Sequence, residues 1–92
     1  IDILVNNAGV PASGRLIDAT PEDYAFVMDT NQRGAFFVAQ EVAKRMIARA
    51  KGNPNKQHRI INVASAAGLR SAPRIGLYSI SKASVIHMTK VM

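Results

Sequence analysis

The 92 residues include 48% apolar side chains, 20% charged side chains and no Cys, a composition that excludes disordered chains, disulfide scaffolds and thiolate metal sites. They suffice for at most one small domain. The longest uninterrupted apolar runs, such as residues 35–39, are far shorter than the roughly 20 residues that a membrane span needs. The net charge is +6, from twelve Lys and Arg against six Asp and Glu.

Half of the basic residues lie in one stretch of the chain, and they are Lys44, Arg45, Arg49, Lys51, Lys56 and Arg59. A nucleic-acid-binding surface typically combines such a stretch with aromatic side chains, and none of the five aromatic residues lies within it. Since cations favour the C-terminal end of a helix, we interpret the stretch as a solvated helix end and a polar loop. We expect neither a nucleic-acid partner nor a membrane partner.

The ends of the chain differ from those of most natural domains. It begins with an apolar run that lacks an initiating Met, and it stops at Met92 within an apolar helical pattern. Domains usually end in exposed polar segments, so we expect an internal piece of a longer protein. Its first residues do not resemble a secretory signal, and we expect a cytoplasmic location.

The first predicted elements are a strand and a helix start. Residues 3–5 are aliphatic and lead into a turn cluster at residues 6–9, which predicts a buried strand with a loop at its carboxyl end. Further along, Thr20 fits the N-cap of a helix and Pro21 fits its first position.

A long helix follows this start. Apolar residues keep helical spacing from Tyr24 to Ile47, but the poor helix formers of residues 29–34 predict a kink near Asn31. The helix is expected to end at residues 51–57, where Gly, Asn and Pro disfavour regular structure.

A second strand and a second helix complete the pattern. Residues 59–64 predict another buried strand, which ends in small residues at 65–68. After a loop that contains Pro73, an apolar-periodic helix runs from about Leu77 to the end of the chain. The order strand, long helix, strand, helix requires a parallel crossover, and the fold class is therefore α/β with a parallel sheet.

Polar and small residues at both strand ends predict a ligand site, because ligands of open parallel sheets bind outside the carboxyl ends of the strands. In the last helix, Tyr78 and Lys82 are four residues apart and share one face. A phenol is a weak acid at neutral pH, and a nearby cation favours its ionised form. The pair therefore predicts a proton donor or acceptor.

Tyr78 and Lys82 occur in a specific combination with Ser65, Asn31 and a polar run after the first strand. Ser65 lies thirteen residues before Tyr78, at the end of the second strand, and Asn31 lies in the kinked helix. Together with Lys82 and the run Asn6-Asn7-Ala8-Gly9, they resemble the classical short-chain dehydrogenase/reductase family over essentially the whole chain. The resemblance implies an internal fragment that extends from that family's fourth strand to the helix bearing its Tyr-x-x-x-Lys motif.

The resemblance implies a fold and a role for each residue. Residues 1–92 would form part of a dinucleotide-binding domain, a Rossmann-like, doubly wound parallel sheet. Tyr78 would exchange a proton with the substrate oxygen while a nicotinamide cofactor, NAD or NADP, exchanges hydride, and Ser65 would hydrogen-bond that oxygen. Lys82 would hold the nicotinamide ribose and favour ionisation of Tyr78, and Asn31 would position a water of a proton relay. The ribose side of the cofactor would be lined, mainly by backbone atoms, by Asn7, Ala8 and Gly9.

The activity implied by the resemblance is an NAD(P)-dependent interconversion of a small-molecule alcohol and a ketone, as in 3-oxoacyl carrier-protein reductases or hydroxysteroid dehydrogenases. It also implies a homodimer or homotetramer formed through the two helices. The family's Gly-rich cofactor turn and substrate lid are not among the 92 residues, so we expect no activity from this piece alone. The alternative is a non-catalytic scaffold or self-association module that lacks its own cofactor site.

Each candidate also has a structural interpretation that the sequence leaves open. Asn6 and Asn7 could form a turn that hydrogen-bonds its own backbone, Asn31 could serve only the helix kink, and Ser65 could serve only as a cap. The thirteen-residue spacing favours Ser65 over the neighbouring serines, which are Ser71, Ser79, Ser81 and Ser84.

The two histidines, His58 and His87, lack metal-ligand spacing to each other or to acids. We interpret both as ordinary polar positions and expect no metal site. No Gly-x-Ser-x-Gly motif accompanies Ser65, which excludes a serine hydrolase of that type.

Overall fold

The computed structural model describes residues 2–12, 14–69 and 74–92, and it contains two strands and three α-helices within these ranges. The elements are β1 (Ile3–Asn6), α1 (Pro21–Met28), α2 (Ala35–Gly52), β2 (Arg59–Asn62) and α3 (Gly76–Val91). The predicted order of elements is confirmed, and the predicted loop residues Ser71 and Pro73 lie outside the described ranges.

The two strands are neighbours in a parallel sheet, as the predicted crossover requires. Ile3 lies opposite Arg59, and Asn6 lies opposite Asn62. The carboxyl ends of β1 and β2 therefore meet at one edge of the sheet, which confirms that the loops following the two strands lie side by side.

The prediction that both strands are buried is wrong for one face of the sheet. Side chains alternate between the two faces of a strand, and α2 packs against both strands while α3 packs against β2. The side chains of Ile3, Val5 and Ile61 are exposed. β2 also ends at Asn62, two residues earlier than predicted.

The start of α1 is formed by the predicted capping residues. The Thr20 hydroxyl accepts a hydrogen bond from the Asp23 amide at 3.1 Å, and the Asp23 carboxylate accepts one from the Thr20 amide at 2.9 Å. Pro21 occupies the first turn. This reciprocal arrangement is a capping box, which satisfies amides that the helix leaves without partners.

The predicted kink near Asn31 takes the form of a π-helical segment, Asp29–Gly34, that joins α1 to α2 without a break. The segment ends at Gly34, where the backbone is crowded. A Cβ at this position would lie 3.1 Å from the carbonyl oxygen of Asp29. The segment places the side chain of Asn31 in the interior, where it is fully buried.

The core lies where the helices meet each other and one face of the sheet. Its buried apolar side chains are Val27, Ala35, Ala39, Met46, Leu77 and Val85. All six basic side chains of the stretch from residue 44 to residue 59 are exposed, as expected of a solvated surface. Within the described ranges, no helix combines the length and apolar character needed to span a membrane.

Candidate active site

The structure brings the predicted site residues to the sheet edge formed by the carboxyl ends of the strands. Asn7, Ala8 and Gly9 form an exposed loop after β1. Ser65 follows β2 and is half-buried. Tyr78 and Lys82 lie in the first two turns of α3.

Lys82 is the buried cation of this site, with only 5% of its surface exposed. Its Nζ atom donates a long hydrogen bond to the Val63 carbonyl at 3.4 Å and lies 5.8 Å from the centre of the Tyr78 ring. Among the described residues, no carboxylate forms an ion pair with Lys82. Because an ammonium group has three donors, part of its hydrogen-bonding capacity remains available to a ligand.

Gly9 makes the close approach of the Lys82 side chain possible. A Cβ on Gly9 would lie 3.1 Å from Nζ of Lys82 and 3.4 Å from Oδ1 of Asn31. The loop after β1 therefore meets both polar side chains at one backbone position.

Asn31 links the π-helical segment to the loop after β1. Its Oδ1 atom accepts from the Val10 amide at 2.7 Å, and its Nδ2 group donates to the Val10 carbonyl at 2.8 Å. Nδ2 also donates to Oγ of Ser81 at 3.1 Å. All three interactions use the side-chain amide of Asn31, so this group has a structural function in addition to any role in a relay.

Ser65 caps the short 3₁₀ turn that follows β2, Ala66–Gly68. Its Oγ atom accepts a hydrogen bond from the Ala67 amide at 3.2 Å. The structural interpretation of Ser65 as a cap is therefore correct, and it is compatible with a second role because a hydroxyl is both a donor and an acceptor.

The two asparagines of the turn cluster differ in their surroundings. Asn6 is buried, and its Nδ2 group donates to the Ala35 carbonyl at 2.7 Å and to Oδ1 of Asn62 at 3.3 Å. It ties β1 to the start of α2 and to β2 instead of closing a local turn. Asn7, by contrast, is exposed.

Ser81 is a residue of this site that the sequence did not single out. It is fully buried, accepts a hydrogen bond from Asn31 and donates one to the Tyr78 carbonyl at 2.7 Å. Ser81 directly precedes Lys82 in the sequence, but Ser79 and Ser84 lie nearby in the same helix. Sequence position alone therefore does not identify Ser81 as a site residue.

His58 is not an ordinary polar position, which corrects the prediction for this residue. Its side chain is 8% exposed, and its buried Nε2 atom has no hydrogen-bond partner and lies 4.0 Å from the Asp2 carboxylate. Asp2 and His58 precede β1 and β2, so they lie at the opposite sheet edge from the candidate site. In the part of the chain that the structure describes, no group of three or more potential ligands could hold a metal ion.

The arrangement defines an α/β protein of the Rossmann type, with polar side chains gathered beyond the carboxyl ends of its parallel strands. The sequence matches the family model described as short chain dehydrogenase over residues 1–92. The chain belongs to this family, which confirms the resemblance inferred from the motifs.

Two curated relatives are similar over almost the whole chain. Galactitol 2-dehydrogenase of Agrobacterium fabrum is 42% identical over 90 residues, which cover 98% of this chain and 33% of the relative. The 3-oxoacyl-[acyl-carrier-protein] reductase of Synechocystis is 39% identical over 92 residues, which cover 100% of this chain and 35% of the relative. The chain therefore spans about a third of the length of these relatives.

Solved structures show the same fold. A gluconate 5-dehydrogenase from Burkholderia cenocepacia, in complex with NADP and tartrate, matches 100% of this chain and 34% of its own, with 40% identity and a TM-score of 0.89. An NAD+-bound xylitol dehydrogenase matches 99% of this chain and 33% of its own, with 36% identity and a TM-score of 0.86.

Proposed function

We propose that the whole protein containing these 92 residues is an NAD(P)-dependent oxidoreductase that interconverts an alcohol and a ketone. Family membership and the dehydrogenases and reductases among the relatives support this activity. In this proposal, residues 1–92 are the part of a cytoplasmic enzyme's dinucleotide-binding domain that carries the catalytic residues.

The observation that carries the proposal is the environment of Lys82. Burying an ammonium group without an opposite charge costs free energy, and the only described partner of this group is one distant carbonyl. A structural role would be better served by an apolar side chain of similar volume. The unused donors of Lys82, beside the backbone of Gly9 and the ring of Tyr78, fit a ligand that carries hydroxyl groups.

A nicotinamide dinucleotide fits this environment, and solved relatives bind NADP or NAD+. Lys82 would donate to its ribose hydroxyls, and the exposed backbone of Asn7, Ala8 and Gly9 would line its ribose side. When bound, the cofactor supplies or accepts the hydride.

The proton is exchanged by the chain's own residues. Tyr78 donates a proton to the substrate oxygen during ketone reduction and accepts one during alcohol oxidation, and Ser65 hydrogen-bonds the same oxygen. The Nζ atom of Lys82 lies 5.8 Å from the centre of the Tyr78 ring, which places the cation beside the residue proposed to exchange the proton. Asn31 fixes the backbone beside this site and positions a water through which protons reach Lys82.

The substrate is proposed to be a small polar alcohol or its ketone. Relatives named for galactitol, gluconate and xylitol favour a polyol or sugar acid, and the 3-oxoacyl reductase makes a 3-oxoacyl thioester the second class to test. A cavity of about 330 Å³ opens beside the residues that precede Tyr78, with both apolar walls and charged side chains such as Arg15 and Arg74. Ser65, Tyr78 and Lys82 are not among its lining residues, so the choice between the two substrate classes rests on the relatives.

The substitution Tyr78→Phe in the whole protein tests the proposed acid. We expect kcat to fall about 10²- to 10⁴-fold, because general acid–base catalysis typically contributes this much. Binding of the reduced cofactor, followed by its fluorescence, should change little. Tyr24→Phe is the matched control, since Tyr24 is exposed in α1 and should tolerate the change. Turnover by Tyr78→Phe at the wild-type rate would contradict the proposed role.

A second candidate function is a non-catalytic self-association module, which is favoured by an apolar groove between α2 and α3. The groove is lined mainly by Phe36, Ala39, Ala43, Ile47, Met88 and Met92. In the proposed enzyme the same groove would form the contact of a homodimer or homotetramer. Nicotinamide binding by the whole protein discriminates the two functions, because the module alone would bind neither NAD(H) nor NADP(H).

A further inference from the structure

We propose that Ser81 is a positioning residue that holds the turn of α3 bearing Tyr78 and Lys82 against the loop after β1. The proposal rests on the function proposed above, because it assigns Ser81 to the same reaction. Ser81 touches neither substrate nor cofactor in this scheme and acts only through Asn31 and the backbone of Tyr78.

The hydrogen bonds of Ser81 differ from those of the other hydroxyls in α3. Serine and threonine hydroxyls in helices often bond a carbonyl in the preceding turn, as Ser84 does with the Ser81 carbonyl and Thr89 with the Val85 carbonyl. Ser81 makes this bond to the Tyr78 carbonyl at 2.7 Å. In addition, it accepts a bond from Asn31, fifty residues away in the sequence, at 3.1 Å.

The bond between Ser81 and Asn31 completes a closed ring of contacts. The side chain of Asn31 forms hydrogen bonds with both the backbone amide and the backbone carbonyl of Val10. The preceding residue, Gly9, lies against Nζ of Lys82. The ring therefore runs from the β1 loop through Asn31 and Ser81 into α3 and returns from Lys82 to the loop.

Removing the Ser81 hydroxyl would open this ring at a fully buried position. One hydrogen of the Asn31 amide would lose its acceptor, and a buried donor without a partner is unfavourable. Asn31 would turn towards another acceptor or the loop would shift, and either change would move Gly9 relative to Lys82. Catalysis is sensitive to displacements of about 1 Å, so the effect should appear in turnover.

The test compares Ser81→Ala with Ser84→Ala in the whole protein. Both substitutions remove a hydroxyl bonded to a carbonyl of α3, but only the first removes a bond to Asn31. For Ser81→Ala we expect kcat to fall about tenfold, equivalent to about 1.4 kcal/mol in the barrier, with the KM of the alcohol changed less than twofold. For Ser84→Ala we expect both constants to stay within twofold of wild type.

Two further variants separate positioning from a general loss of structure. Ser81→Thr retains the hydroxyl and should restore kcat to within about threefold of wild type. Because Ser81 and Asn31 act through one bond, Asn31→Ala combined with Ser81→Ala should lose no more kcat than Asn31→Ala alone. If Ser81→Ala does not fold, Ser81→Cys replaces it, since a thiol keeps the volume with a much weaker hydrogen bond.

The outcomes are distinguishable. A Ser81→Ala enzyme with the kinetics of Ser84→Ala, or one with a lower melting temperature and unchanged kcat, would overturn the positioning role and leave the proposed activity intact. A wild-type protein that binds no nicotinamide and reduces no ketone would overturn the proposed function, and the role of Ser81 with it.

Discussion

At the scale of single residues, the position of one ammonium group is determined by groups that are distant in the sequence. Lys82 lies beside the backbone of Gly9, and its Nζ atom donates a long hydrogen bond to the Val63 carbonyl. These contacts come from the loops after β1 and β2, which the parallel sheet brings to one edge. A Cβ at Gly9 would lie 3.1 Å from Nζ of Lys82, a tight contact that would displace the ammonium group by a few tenths of an ångström.

The ion pair between Asp2 and Lys56 predicts a pH-dependent contribution to stability. The hydrogen bond from Lys56, at 3.2 Å, lowers the pKa of Asp2 below its ordinary value of 3.8. A carboxyl with a lower pKa in the folded state stabilises the fold above its unfolded pKa, and this contribution is lost as the pH falls through the folded pKa. Arg49 and the terminal amine also lower the pKa of Asp2, and Nε2 of His58 lies 4.0 Å from its carboxylate.

We therefore expect Asp2→Asn to unfold at a lower urea concentration than wild type at pH 7 and at nearly the same concentration near pH 2. Lys56→Gln should reproduce the effect at neutral pH because it removes the other partner. Both differences should shrink at high salt, since the pair is partly exposed. An equal difference at both pH values would exclude the ion pair as the cause.

At the scale of elements, two short non-α segments set the geometry of the site. The π-helical segment directs Asn31 inward, and the 3₁₀ turn after Ser65 packs directly on α3. Gly68 permits this contact, since a Cβ there would lie 2.9 Å from the backbone carbon and oxygen of Lys82. The distance between the Ser65 loop and α3 is thus fixed by backbone atoms, which cannot move aside as a flexible side chain would.

Gly68→Ala should accordingly displace the Ser65 loop from α3. We expect a fall in kcat of about 10- to 100-fold, because Ser65 moves relative to Tyr78, and a loss of about 1–3 kcal/mol in the free energy of unfolding from overpacking. Steady-state kinetics and urea denaturation of the whole protein measure both effects. Gly52→Ala is the control, because a Cβ at Gly52 meets no atom within 4 Å. Wild-type kcat in Gly68→Ala would show that the turn accommodates the methyl group without moving Ser65.

The order of the elements could be predicted from the sequence because its signals are local, whereas the roles of the site residues stay predictions. Capping residues indicate the start of α1, aliphatic runs indicate both strands, and the spacing of Ser65, Tyr78 and Lys82 indicates the candidate site. The π-helical geometry could not be predicted, because it depends on Asn31 bonding a backbone twenty-one residues away. The same reason applies to Ser81 and Asn6, whose partners are distant in the sequence.

At the scale of the whole molecule, the described fold is elongated and leaves apolar surface uncovered. Its dimensions are 51 × 23 × 17 Å, and its radius of gyration is 15.4 Å, compared with about 12 Å for a compact chain of this length. Exposed apolar side chains lie on the open sheet face and along α2 and α3. Surfaces of this kind are usually contacts with further protein.

The groove between α2 and α3 predicts a measurable effect on assembly. If copies of the whole protein associate there, Ile47→Lys should convert a dimer or tetramer into a smaller species, because a charge would be buried in an apolar contact. Ile17→Lys is the control, since Ile17 is 82% exposed and does not line the groove. Light scattering after size-exclusion chromatography gives both masses. An Ile47→Lys protein with the wild-type mass would exclude this groove as the contact.

The parallel pairing of β1 with β2 also has a consequence for the order in which the chain folds. Asn6 and Asn62 meet across 56 positions of sequence, so β1 cannot pair with β2 until the ribosome has released the whole of α2 and the loop that follows it. Contacts of such long range slow folding, because a large loop must close before any strand hydrogen bond compensates for the lost entropy. During synthesis, the edge of β1 that pairs with β2 therefore stays without this partner until residues 59–62 have been released.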